Sequence, residues 1–190
     1  MLVLMKILGG KYKGRNFYMP AGIRPTQNVL RAAIFDLLGH DFNGVTFLEL
    51  FAGSGAVSLE AISRGAQEVV MVEHNDLNAK TIRENCELLG IELGGQFSLV
   101  QADAMATLKQ LSEEKKRFDI VFIDPPYGLT LAKKTLNLIT SRDILHAQSL
   151  LVIQLEKSQR LDIPEGFALS AQRRYGSSHL YILQKVAVIC

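Results

Sequence analysis

The stretch Phe47-Leu48-Glu49-Leu50-Phe51-Ala52-Gly53-Ser54-Gly55-Ala56-Val57 decides the fold. Thr46–Leu50 is a short apolar run that predicts a strand, and Ala56–Arg64 predicts a helix. Between them Gly53 and Gly55 permit a tight turn and the close approach of a ligand to the backbone. The helix that follows presents free N–H groups to the same space. A second strand, Glu68–Glu73, ends on an acid 20 residues after Gly53. A carboxylate at that spacing can accept hydrogen bonds from ribose hydroxyls. These features point to an adenosine cofactor, with Glu49, Phe51, Ala52, Gly53, Ser54, Gly55 and Glu73 as its candidate contacts. A dinucleotide is the competing ligand, because Ser58 occupies the third small position of that fingerprint. Glu49 separates the two. An anion at the mouth of the turn repels a pyrophosphate but suits the cationic amino-acid end of S-adenosylmethionine, which is the expected cofactor.

Working outward, the alternation continues. Leu77–Leu89 predicts a helix ended by Gly90, Phe97–Gln101 a strand, and the next segment a helix through Leu111. Asp119–Asp124 predicts a strand, Leu131–Ile139 a helix and Leu150–Leu155 a strand. Strict βα alternation with apolar strands predicts an α/β fold with a mostly parallel sheet. The end breaks the pattern: Phe167–Tyr175 and His179–Lys185, joined by Gly176-Ser177-Ser178, predict an antiparallel hairpin. The first 25 residues are punctuated by glycine and proline and predict short strands or a hairpin. Thr26 is then expected to cap a helix over 27–39. Asp103, followed by Ala104, ends the third strand. It is placed to accept an adenine amino group and is equally a strong N-cap residue; the two roles are compatible.

Asp124-Pro125-Pro126-Tyr127 carries the second half of the chemistry. Two consecutive prolines remove two backbone donors and fix φ near −65° at both positions. Stiff carbonyls beside a carboxylate form an acceptor-rich surface suited to N–H donors. Tyr127 adds a flat face on which a nucleobase can stack, worth about 1–3 kcal/mol. The tetrapeptide reads as a holder for a planar exocyclic amine.

The 190 residues, 48% of them apolar, are enough for one domain with a substantial core. Net charge is only +2, but residues 1–40 carry +5 and the remainder −3. A basic arm on a mildly acidic body suggests a polyanionic partner. Lys11, Tyr12, Lys13, Arg15, Arg24 and Arg31 are the candidate nucleic-acid contacts, with Tyr12 placed either to stack on a base or to pack inside. Cys86 and Cys190 lack metal-like spacing and fit a reducing compartment. The four histidines are scattered. No metal site, nucleophilic triad, internal repeat, signal peptide or membrane span is expected, so the chain reads as a soluble cytoplasmic protein.

The order Glu49, Gly53, Gly55, Glu73, Asp103 and Asp124-Pro125-Pro126-Tyr127 resembles the class I S-adenosylmethionine-dependent methyltransferases that modify exocyclic amines. Gly9-Gly10-Lys11-Tyr12-Lys13-Gly14-Arg15, Arg24-Pro25-Thr26 and Leu59-Glu60-Ala61-Ile62-Ser63-Arg64-Gly65-Ala66 resemble, more narrowly, the RsmD family. The resemblance runs from about Ile7 to Lys185. It implies a seven-stranded Rossmann-like methyltransferase sheet, with the terminal hairpin supplying the antiparallel strand. It also implies methylation of guanine N2 at one site of 16S ribosomal RNA. The RNA is expected to be met within a small-subunit particle, and the absence of an obvious dimerisation helix in the sequence suggests a monomer. On this reading residues 1–40 form a basic RNA-binding extension and 41–190 the methyltransferase domain. The chain departs from the family pattern at Asn28, Val29 and Ala32, near the first helix, and has Glu49 where Asp is usual. A DNA adenine or cytosine N-methyltransferase and a non-catalytic RNA-binding module are the competing functions.

Overall fold

The structure, a computed structural model, describes residues 3–20, 28–126 and 129–186. The chain forms two compact units, Met1–Ala102 and Asp103–Cys190. The first unit contains a two-stranded antiparallel ribbon, β1 (Val3–Lys6) and β2 (Asn16–Met19), followed by α1 (Asn28–Leu38). Then come β3 (Thr46–Leu50), α2 (Ala56–Ser63), β4 (Glu68–Val72), α3 (Asp76–Leu89) and β5 (Phe97–Val100). The second unit runs α4 (Ala104–Glu113), β6 (Phe118–Ile123), α5 (Leu129–Thr140), β7 (Leu145–Glu156), β8 (Phe167–Tyr175) and β9 (Ser178–Lys185).

Seven strands make one sheet in the order β5-β4-β3-β6-β7-β9-β8. β3–β4, β4–β5 and β6–β7 pair parallel, whereas β7–β9 and β8–β9 pair antiparallel. The expected α/β architecture and its terminal hairpin are therefore present. Phe47 through Leu50 are all buried, as are Val69 through Val72 and Ile120 through Ile123. Central parallel strands covered on both faces require such near-continuous apolar runs, and Glu49 is the one charged residue among them. β5, at the sheet's end, is half-buried throughout.

Most boundaries fall within one or two residues of the expected ones, and the largest difference is at β7. β7 begins at Leu145, five residues before the expected Leu150, through the exposed polar run His146-Ala147-Gln148. Ser149 Oγ donates to the Phe118 carbonyl at 2.6 Å there, so hydrogen bonding rather than apolar patterning extends the strand. The hairpin turn is Gly176-Ser177, with Ser178 already paired to Tyr175. Thr26, the expected cap of α1, lies outside the described residues.

The N-terminal segment is tied to α2 by a buried charge. Glu60 has no solvent exposure. Its Oε2 accepts from the Leu8 amide at 2.8 Å and lies 3.6 Å from Arg31 Nε, while Oε1 accepts from Arg64 Nε and Nη2 at 3.0 and 2.9 Å. Arg31 is also fully buried and donates to the carbonyl of Lys6 and to Asn28 Oδ1. Gly10, at φ +71°, completes the fit: a Cβ there would lie 1.8 Å from the Ser63 carbonyl oxygen. Removing one partner of a buried ion pair costs about 3–5 kcal/mol, because the other charge stays buried and unpaired. Glu60→Ala is expected to lower the stability measured by urea unfolding by about that amount, while the exposed Glu113→Ala stays within about 0.5 kcal/mol of the parent.

Candidate active site

The glycine turn is held by two carboxylates. Glu73, just past β4, accepts from the Gly53 amide with Oε2 at 2.7 Å and from the Asn75 amide with Oε1 at 2.7 Å. Each carboxylate oxygen has a second acceptor site, so the buried carboxylate fixes the turn and can still receive hydroxyl donors. Glu49 is buried, and its Oε2 accepts from the Ser58 amide at 2.8 Å. α2 begins at Gly55, which has no side chain to cap it. Glu49 thus supplies from β3 the negative charge that the helix N-terminus favours. Glu49 therefore caps the helix structurally, a role that its type and position in the sequence did not suggest.

The turn itself is conformationally expensive. Phe51, Gly53 and Gly55 have φ of +63°, +58° and +73°. For a bulky residue such as Phe51 the left-handed region costs on the order of 1–3 kcal/mol, a cost that concentrates at binding sites. A Cβ at Gly55 would sit 3.3 Å from Ile82 Cγ1, so a larger residue there would crowd Ile82 in addition to the strain of the positive φ. Ala52 and Ser54 are buried between these residues, and the Ser54 carbonyl accepts from Asn85 Nδ2 at 3.3 Å.

In the second unit, Asp103 Oδ1 accepts from the Met105 and Ala106 amides at 2.9 and 3.0 Å, making it the N-cap of α4. The side chain is exposed and Ala104 is buried beneath it. Asp124 follows the last residue of β6, a fully buried strand end. The residue keeps partial exposure, but its carboxyl is enclosed by protein, and that desolvation pushes its pKa up to about 7. Pro125 is buried and Pro126 exposed. Tyr127 lies outside the described residues.

The family model described as "Conserved hypothetical protein 95" matches residues 5–184. Ribosomal RNA small subunit methyltransferase D of Buchnera aphidicola is 31% identical, over 93% of this chain and 91% of that protein. The protein of the same name from Escherichia coli is 29% identical over 96% and 91%. A solved structure of a hypothetical protein from Thermus thermophilus superposes with a TM-score of 0.81, at 32% identity over 97% of this chain and 99% of that one. The chain belongs to the RsmD family of methyltransferases.

The basic arm of this RsmD-family chain is only partly the surface expected. Lys11 and Lys13 are exposed. Arg15 is exposed too, but its guanidinium donates to the Leu88 and Leu89 carbonyls at 2.5 and 2.9 Å, closing the C-terminus of α3. Two residues require correction. Arg31 is sealed against Glu60 and cannot meet a phosphate; its pKa is lowered by burial, with Glu60 opposing that shift. Tyr12 takes the packed alternative: it is buried, with Lys11 Nζ 5.1 Å and Arg15 Cζ 5.7 Å from its ring centroid. Arg24 lies outside the described residues.

Two positioning residues escaped the sequence reading. Asn85, fully buried in α3, accepts from the Tyr18 amide at 2.7 Å and donates to the Tyr18 carbonyl at 2.8 Å, joining β2 to the glycine turn through Ser54. Glu60 is the other. The available signal was a polar residue within an otherwise apolar helix face. Cys86, on the same helix as Asn85, is buried and its thiol is pushed up to about 11 by desolvation, so it is no nucleophile.

Asp124 also makes a stability prediction. Between pH ~4 and ~7 the folded chain keeps a proton that an unfolded carboxyl, ordinarily near 3.8, has released. Stability from this group is therefore highest below pH ~4 and is lost as pH rises through about 7. Asp124→Asn is expected to melt higher than the parent at pH 8 and by a smaller margin at pH 4, at roughly 2–4 °C per kcal/mol relieved. Thermal unfolding at the two pH values checks it, and an equal margin at both refutes it.

Proposed function

We propose that this chain transfers a methyl group from S-adenosylmethionine to the exocyclic N2 of a guanine in small-subunit ribosomal RNA. The observation that carries the reading is the desolvated carboxyl of Asp124 at the end of β6, followed at once by two prolines. S-adenosylmethionine, when bound, supplies an electrophilic methyl group. The residues fit it: Glu73 keeps acceptor sites for ribose hydroxyls, Asp103 can take the adenine amino group with Oδ2, and Gly53 and Gly55 carry no side chain that would keep a ligand from their backbone.

The rest is the work of this chain's own side chains. An exocyclic amine is a poor nucleophile because its lone pair is delocalised into the ring. Asp124 and a carbonyl of Pro125-Pro126 accept its two N–H bonds and aim the nitrogen. As the new N–C bond forms, the nitrogen becomes cationic, and the carboxylate opposite it stabilises that charge. A group with a pKa near 7 can then take the leaving proton. Tyr127 is assigned to stack on the base. Positioning of this kind draws on the roughly 7–11 kcal/mol available to well-oriented reactants. The target base must leave its stack to reach such a site.

Residues 1–40 are assigned to RNA binding, with Lys11 and Lys13 as phosphate contacts, and 41–190 to the transfer. A monomer acting within a small-subunit particle in the cytoplasm completes the proposal. Among the described residues no helix is long and apolar enough to cross a membrane.

Asp124→Ala is expected to abolish methylation while calorimetry shows S-adenosylmethionine affinity nearly unchanged; full activity in that variant refutes the role. The pH profile of kcat/KM should rise to a plateau with an apparent pKa of about 7, since the ionised carboxylate is required. Glu73→Ala is expected to weaken cofactor binding by about 10–100-fold, one or two charge-assisted hydrogen bonds. Mapping of methylated guanines in ribosomal RNA with and without the protein tests N2 against other amines.

A further inference from the structure

A cavity of about 500 Å³ lies in the second unit, lined by Lys157, Arg160 and Arg174 with Leu161, His179 and Tyr181 among its walls. Its floor is built by the sheet. Arg174 pairs with His179 and Gln172 with Tyr181 across β8 and β9, and directly opposed residues share a face. The segment after β7 folds over that face and brings Lys157 and Arg160. His179 and Tyr181 are buried, while the three cations are exposed.

The charge is one-sided. No carboxylate lines the cavity, and among the described residues none pairs with Lys157, Arg160 or Arg174. Asp162, the nearest acid in the covering segment, is engaged by Lys133 at 2.6 Å. Arg174 is oriented: its Nε donates to His179 Nε2 at 3.1 Å, which places the imidazole proton on Nδ1, facing the Gln159 carbonyl at 3.4 Å. The guanidinium's Nη donors make no hydrogen bond among the described residues. Three cations around a walled cavity repel one another unless an anion joins them, and an oriented guanidinium matches a phosphate.

The register places this cavity beside Asp124. Ile123 pairs with Ile153, and Leu155, two residues on, pairs with His179 and through it aligns with Arg174. The row Leu155–His179–Arg174 is thus level with Asp124-Pro125. Strands lie about 4.8 Å apart, so His179 and Arg174 stand roughly 10–15 Å to the side. That is about three or four stacked nucleotides at ~3.4 Å each.

We propose that Lys157, Arg160 and Arg174 bind a backbone phosphate of the RNA substrate a few nucleotides from the methylated base, with Leu161, Ile163 and Leu169 receiving its sugar or base. This site rests on the RNA-methylating function proposed above and is separate from Lys11 and Lys13.

The test is Lys157→Ala with Arg160→Ala in the full chain, since both side chains are exposed and their loss leaves the fold intact. The expected result is a slope of log K against log salt for a ribosomal RNA fragment that is shallower by about 1.4, at ~0.7 per cation for single strands. The KM for RNA should rise about tenfold or more, with kcat at saturation and S-adenosylhomocysteine affinity unchanged. Lys157→Arg with Arg160→Lys should restore the parent slope. An unchanged slope and KM in the alanine variant, with a parent that binds and methylates RNA, overturns the cavity alone. A parent that neither binds nor methylates RNA overturns the function beneath it as well. Sub-millimolar binding of a free nucleoside monophosphate, lost in the variant without change in the RNA slope, would assign the cavity to a small ligand and overturn the RNA contact.

Discussion

The buried carboxylate of Glu60 is the constraint on which the first unit depends. It has no water, so its charge must be met by protein, and three separate pieces of chain meet it: the Leu8 amide, Arg31 of α1 and Arg64 at the end of α2. A buried pair of this kind is weak as a source of net stability but severe as a condition, since losing any partner leaves a charge stranded in low dielectric. The N-terminal ribbon, the glycine loop at Gly10 and α1 are therefore held to α2 in one arrangement. Lys11 and Lys13 owe their exposed positions to it, because the loop that carries them is fixed through the Lys11 amide to the Ser63 carbonyl and the Tyr12 amide to Ser63 Oγ.

Acidic residues at strand ends recur in this chain, and burial assigns each a different task. Glu49 is spent on the N-terminus of a helix that lacks a capping side chain. Glu73 divides its oxygens between two backbone amides and so sets the shape of the glycine turn. Asp103 caps α4 with one oxygen and stays exposed. Asp124 is desolvated, which lifts its pKa into the working range of a proton acceptor. The same functional group is thus a helix cap, a turn clamp or a desolvated acid, and the difference lies in hydrogen bonding and solvation rather than in residue type. The desolvation that raises the Asp124 pKa also destabilises the fold above pH ~7, a cost of the kind that active-site groups commonly carry.

The fold was legible because its signals are local. Ile120–Ile123 announces a buried strand by unbroken apolar composition, Phe47–Leu50 does so with Glu49 as its one interruption, and Gly90 ends α3 by its φ of +71°. That Gly53 and Glu73 meet, 20 positions apart, was legible because turn geometry and strand length dictate their spacing. Arg31 was misread, and Tyr12 left undecided, for the opposite reason. In a segment rich in lysine and arginine, charge count carries no information about which side chain turns inward, and the partner that draws Arg31 in is Glu60, 29 positions away. The early start of β7 was hidden because polar residues there are recruited by hydrogen bonds rather than by apolar patterning.

By itself, the amino-acid sequence determined the order of strands and helices, the glycine turn with its terminal acid, and the place of Asp124-Pro125-Pro126 at the end of β6. Each of these depends on neighbours a few residues apart. Only the tertiary structure decided which charges are spent and which remain open. It sealed Arg31, closed α3 with Arg15, turned Glu49 into a cap and gathered Lys157, Arg160 and Arg174 around one cavity. The physical reason is that solvation and ion pairing are set by groups distant in the chain and adjacent in space, and no period or spacing along the chain records them.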